Sequence, residues 1–230
     1  MNKYVLKGNP PVEIALRRSA RARRLSLRVS QLDGRVTLTM PSIMPATEAL
    51  RFADEKATWV REKLADQPGE LRPVFGEKML YRGEYLDIVA GGGRVARIEG
   101  HQIRVPGNHD DVARRIGAFL KAQAKVNLHR ASENYADRLG KTYNRITLRD
   151  TRSRWGSCSS TGNLNYSWRL IMAPPEVLNY VAAHEVAHLA QMNHSQTYWN
   201  TVQAIHGPYD APRLWLRQNG HLLHRYRFQD

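Results

Sequence analysis

Apolar and polar positions alternate with a period of two over Leu25-Ser26-Leu27-Arg28-Val29 and again over Val36-Thr37-Leu38-Thr39-Met40. That is the pattern of half-buried strands. Asp33-Gly34 between them is a hairpin-turn signal, and residues 12–40 predict three short strands. The period then changes. Leu50, Ala53, Ala57, Val60 and Leu64 recur at helical spacing behind Pro41 and Pro45, predicting a helix over 46–65 that packs through Trp59 and ends at Gln67-Pro68-Gly69. Further strands are expected near 79–82, 85–90, 94–98 and 102–105. Gly91-Gly92-Gly93 joins two of these strands rather than a strand and a helix, so it predicts a flexible hairpin and not a phosphate cradle. From Asp110 to Arg138, positions such as Val112, Ile116, Leu120, Ala124 and Leu128 mark one long amphipathic helix with Gly140 near its end. Ile146-Thr147-Leu148-Arg149 predicts a strand, and Arg152 to Ile171 a hairpin turning at Thr161-Gly162-Asn163.

The last helical stretch carries the chemistry. Pro174-Pro175-Glu176 suits a first helical turn, where proline loses no hydrogen bond and an acid complements the positive end of the dipole. The helix behind it contains His184-Glu185-Val186-Ala187-His188, and a third histidine, His194, follows six residues later. Histidines four apart project from one helix face and can bind one zinc ion, leaving Glu185 beside them to take a proton from an activated water. Asn193 tolerates the left-handed conformation that ends a helix, so a stop near Met192-Asn193 would turn His194 back over the metal. Ser195 then caps a further helix to His206, ended by Gly207-Pro208. Chance places this whole set in under about one sequence in a thousand, which favours a metal site over an amphipathic helix with incidental histidines. Three protein ligands leave a fourth position open, the mark of a catalytic rather than a structural zinc. Imidazole also accepts manganese, cobalt or nickel.

Weaker candidates surround this core. Arg154, Tyr198 and Tyr209 could each aim a donor at a developing oxyanion, and His206 could line the cleft. Cys158 is a candidate fourth ligand, though a lone cysteine is more often a small buried residue. His221 and His224 fall in a basic tail and are expected at the surface.

Composition narrows the partners. The 230-residue chain carries 35 Lys plus Arg against 21 Asp plus Glu, a formal charge of +14 that biases it toward anions, nucleic acid first. No nucleic-acid motif accompanies that charge. Arg17, Arg18, Arg21, Arg23, Arg24 and Arg28 are expected to line an exposed face or sheet edge and guard it against pairing. The single cysteine excludes an intrachain disulfide and suits a reducing cytoplasm; no run is long enough to span a membrane.

The sequence resembles the YgjP-like metallopeptidases, a bacterial zincin group related to SprT-like and minigluzincin-type proteases. The likeness rests on Arg23 to Val29, Arg154-Trp155-Gly156-Ser157-Cys158-Ser159, Asn165 to Ile171, Ala173-Pro174, the His184 to His188 motif, Asn193-His194-Ser195 and Trp199. It implies a zincin core with His184, His188 and His194 as ligands and Glu185 as base. It further implies that the hairpin at 154–171 flanks the cleft as an edge strand able to pair with an extended peptide. The third-histidine spacing also equals that of metzincins, but Gln191 stands where they have glycine and no Met-turn follows. Weak-suppressor-type DNA–protein crosslink proteases share a similar spacing.

Together these features predict an α+β fold: one unit over 1–230, β-rich through 1–108, with a zincin-like catalytic region over 109–230 whose active-site helix packs on a small mixed or antiparallel sheet. The leading functional expectation is a cytoplasmic peptidase with one zinc per chain, acting on peptides or proteins, with a basic surface open to nucleic-acid association. The alternatives are a metal-dependent hydrolase of nucleotide phosphoanhydrides and a nucleic-acid-associated protein with a structural metal.

Overall fold

Two separate hydrophobic cores organise the chain in a computed structural model that describes residues 2–30, 34–66 and 69–229. They divide it into compact units Met1–Gly69 and Glu70–Asp230. Asp33, Gln67 and Pro68, expected at turns, lie outside the described residues.

In the first unit the period-two alternation becomes a four-stranded sheet: β1 (Asn2–Leu6), β2 (Val12–Ser19), β3 (Ser26–Val29) and β4 (Val36–Pro41), ordered β1-β2-β4-β3. β3 and β4 pair antiparallel as the hairpin signal predicts, while β2 and β4 run parallel. Ile14, Val36 and Leu38 bury one face against Ala49, Ala53 and Val60. The expected helix over 46–65 is two helices, α1 (Ala46–Glu55) and α2 (Ala57–Ala65). Its ladder is interrupted at Lys56, whose N–H is shared between the carbonyls of Phe52 and Ala53. Trp59 is 39% exposed and is no core residue. The six arginines between Arg17 and Arg28 are exposed, as the strand pattern predicts.

The second unit begins far earlier than the expected boundary at 108/109. Strands β5 (Lys78–Tyr81), β6 (Glu84–Ala90), β7 (Arg97–Glu99) and β8 (Gln102–Val105) share one core with the long helix α3 (Val112–Leu139), because Met79, Ile88, Ile103 and Val105 cluster with Ile116 and Leu120. The sheet order β5-β6-β8-β7 puts β8 between the strands that the triple glycine joins, so that segment is a crossing loop and not a hairpin. Arg82 (φ 51°) and Gly83 (φ 85°) make the tight turn of β5–β6. Their N–H groups donate to the carbonyls of Ile171 and Met172 at 3.0 and 2.9 Å. A Cβ on Gly83 would stand 2.9 Å from Pro174 Cγ, so glycine is what lets the turn press against the start of the next helix.

A three-stranded sheet follows, ordered β10-β11-β9, from β9 (Arg145–Arg149), β10 (Gly156–Cys158) and β11 (Asn163–Ser167). β10 is an edge, antiparallel to β11, while β9 runs parallel to β11. The expected hairpin leaves the sheet at Ser167: Trp168–Met172 coils into a buried 3-10 turn. Arg169 causes this. Its guanidinium is buried, grips Asp150 at 2.6 and 3.2 Å and donates to the carbonyls of Leu223 and Tyr226 at 2.8 and 3.0 Å. Helices α4 (Pro175–Ala187), α5 (Gln196–His206) and α6 (Asp210–Leu223) complete an α+β architecture of small mixed sheets and helices.

Arg169→Met should cost roughly 2–4 kcal/mol in denaturant unfolding, since it strands two buried carbonyls. Asp150→Asn should cost much less, because that carboxylate is half-exposed.

Candidate metal centre

α4 starts as the sequence predicts, with Pro175 in its first turn and Glu176 beside it. Its end differs. The helix stops at Ala187, with His188 as its C-terminal cap, and the turn beyond is tightened by N–H bonds from Leu189 to Val186 and from Ala190 and Gln191 to Ala187. Asn193 does not enter the left-handed region; its side-chain oxygen accepts from Ser195 N–H at 3.1 Å, and that local turn carries the chain back. Ser195 caps α5 through Tyr198 N–H, and Gly207 (φ 90°) closes it, as expected.

This path brings His184, His188 and His194 together, their ligating nitrogens all within 4.8 Å of one another. The Nε2 atoms of His184 and His194 face each other at 3.2 Å. Tetrahedral zinc with Zn–N bonds of about 2.05 Å sets ligand nitrogens roughly 3.3 Å apart, so this pair already spans one edge of such a site. His188 Nδ1 lies 2.9 Å from the carbonyl of Gln191, which fixes the proton on that nitrogen and turns Nε2 toward the group. Burial, then the charges of His188, His194 and Arg213, pushes the His184 imidazole down to about 3; burial also lowers His188. Neutral rings are the form that binds a cation. The donor set fits a single metal ion with open coordination.

Glu185, next along α4, is only 5% exposed. Burial raises its carboxyl to about 8, against the opposing pull of the Arg154 charge and the Cys158 backbone N–H. β10 closes over it: a Cβ on Gly156 would meet Glu185 Oε1 at 2.5 Å and Cγ at 2.6 Å. Glycine at 156 is therefore part of the site, and in the sequence it was legible only as a residue within a matching segment.

The remaining candidates separate by place. Tyr198 is fully buried; its hydroxyl donates to the His184 carbonyl at 2.9 Å and its ring stacks on His188 at 4.5 Å, so it supports the histidines from beneath. Tyr209 stacks on Trp199 and Tyr180, forming an aromatic wall with His206, which lies 6.0 Å from Tyr180. Tyr180 is a buried neighbour of His184 that the sequence pattern did not single out. Arg213, which no motif singled out, sits over the Trp199 ring at 4.7 Å and its charge reaches His184. Arg154 is exposed, and its charge reaches Glu185. Cys158 stands outside the histidine group, with its thiol toward the Ser159 carbonyl. His224 is buried against Trp155 at 4.9 Å and is no surface residue, because α6 folds back onto the 3-10 turn.

A family model described as YgjP-like, metallopeptidase domain, matches residues 23–219. The chain belongs to the YgjP-like metallopeptidase family. The match begins at Arg23 in the first unit and runs through every histidine of the centre. Among solved structures, the metallopeptidase zymogen of Pyrococcus abyssi abylysin is 21% identical, covering 41% of this chain and 94% of its own, with a TM-score of 0.36. No curated protein matches. Among the described residues no helix is long and apolar enough to cross a membrane.

Burial, and then the nearby Glu185, push the Cys158 thiol up to about 11. Below that pH it stays protonated and weakly nucleophilic. Iodoacetamide at pH 8 should therefore modify Cys158 in the native protein at least about tenfold more slowly than in urea, as followed by mass spectrometry.

Proposed function

We propose that this YgjP-like protein is a zinc-dependent peptidase in which His184, His188 and His194 hold one zinc ion and Glu185 is the general base. The observation that carries the reading is the buried Glu185 carboxyl lying beside three clustered imidazoles. Bound zinc supplies a Lewis acid that polarises the scissile carbonyl and makes water a stronger acid. The protein's own groups do the rest. Glu185 accepts the proton of the attacking water on its carboxylate and delivers it to the leaving nitrogen. Gly156 and the Cys158 N–H hold that carboxylate in one orientation. Arg154 keeps the ionised form accessible in spite of burial, and Tyr209 is the candidate donor to the oxyanion. The β10 edge, which no strand of its sheet covers on the outer side, is placed to pair with an extended substrate. The basic surface suits a cytoplasmic enzyme meeting substrates near nucleic acid.

Protein purified without an affinity tag should contain one zinc per chain by elemental analysis, and His194→Ala should lose most of it. Glu185→Gln should keep the zinc while casein hydrolysis falls by about 10³-fold or more. Chelator-sensitive release of phosphate from nucleoside triphosphates, with casein untouched under all conditions, would instead identify a phosphoanhydride hydrolase. Steep salt-dependent DNA binding without turnover of any substrate would identify a nucleic-acid module.

Arg154→Gln removes a positive charge that favours ionised Glu185. The base then needs a higher pH to ionise, so the acid limb of the kcat/KM profile should move up in pH. An unmoved limb would separate Arg154 from the base.

A further inference from the structure

The sheet that covers Glu185 has two unlike faces. Ser157 pairs with Asn165, Asn165 with Thr147, and Ser167 with Arg149, so these side chains share one face. Leu164 and Tyr166 belong to the opposite face and are buried with the core. Gly156 is on that inner face, and Glu185 lies against it. The polar face is not a plain solvated surface. It bounds a cavity of about 370 Å³ lined by Arg149, Thr151, Arg154, Ser157 and Asn165, with Gly156 and Tyr166.

No carboxylate lines this cavity. Arg149 and Arg154 are both exposed, and among the described residues neither guanidinium has an ion-pair partner. The nearest acid in sequence, Asp150, is committed to Arg169 through both oxygens. Two guanidiniums outside any ion pair, beside hydroxyl and amide groups, form a site for an anion, and the planar fork of arginine matches a carboxylate. A peptide that extends the sheet at β10 sends alternate side chains to this polar face.

We propose that Arg149 and Arg154 form a carboxylate-binding subsite, and that the preferred substrates are acidic peptides with Asp or Glu on the strand segment that pairs with β10. The identity of the ligand rests on the peptidase reading; the existence of the subsite does not. The acid side chain lies over Ser157 and Asn165 between the two guanidiniums, one residue out of phase with the groups that face Glu185. Arg154 then serves both sides of the strand, since it lines the subsite while its charge reaches Glu185.

The test uses full-length, zinc-loaded Glu185→Gln protein and fluorescent casein-derived peptides carrying Glu, Gln or Lys at successive positions. Fluorescence anisotropy should show one position where Glu binds about tenfold tighter than Gln. Arg149→Glu, an exposed substitution, should abolish that preference and favour Lys; Arg149→Lys should retain part of it. The same order should appear in kcat/KM when the protein with native Glu185 cleaves these peptides. Equal binding of Glu and Gln peptides at every position, or an acid preference unchanged in Arg149→Glu, would overturn the subsite. Acid-selective binding without any cleavage would leave the subsite standing and sink the peptidase reading alone.

Discussion

A carboxyl group shut away from water beside three imidazoles is the constraint on which the rest of the second unit depends. Burying Glu185 is costly, and the chain offsets that cost with one backbone N–H from Cys158 and one positive charge from Arg154. The burial itself exists because position 156 has no side chain. Strand β10 can approach α4 closely enough to seal the carboxyl only at a glycine. The same approach puts an unpaired strand edge beside the histidines. The buried carboxyl and the open strand edge are thus set by a single helix–strand contact.

The histidines are held by a layered support. His184 is fixed by its place in α4 and by the rings of Tyr180 and Tyr198, His188 by the Gln191 carbonyl below the helix end, and His194 by the Asn193 turn and the cap of α5. Tyr198 links them, since it stacks on His188 while bonding to the His184 backbone. A site in which each ligand is oriented by a different local device keeps its geometry when one device is strained.

Much of this was legible in the amino-acid sequence, and the reasons are physical. The proline-led start of α4, the Ser195 cap, the Gly207 stop and the Gly140 end of α3 are local signals, and each stands where expected. The clustering of the three histidines followed from spacing alone. What escaped depends on contacts distant in the chain. The strand-to-turn switch at Ser167 is held by Arg169 gripping residues far along, and the place of Arg213 by the packing of α6 on α5. Gly156 carried no pattern of its own, since nothing in a sequence tells a glycine needed for close approach from one needed for a turn. The separate grouping of β5–β8 carries no local signal, because these strands look like a continuation of the earlier ones, yet they bury their apolar faces on α3.

The grip of Arg169 has a consequence for how the enzyme comes into being. This residue lies just before α4, but its partners include the carbonyls of Leu223 and Tyr226, and Phe228 packs against Trp168. During vectorial synthesis, Glu185 and all three clustered histidines have been made once His194 emerges, while the segment that anchors the turn before α4 has not. A nascent chain therefore carries all its ligands before it owns a rigid site. The seating of α4 is thus coupled to completion of α6 and the stretch behind it.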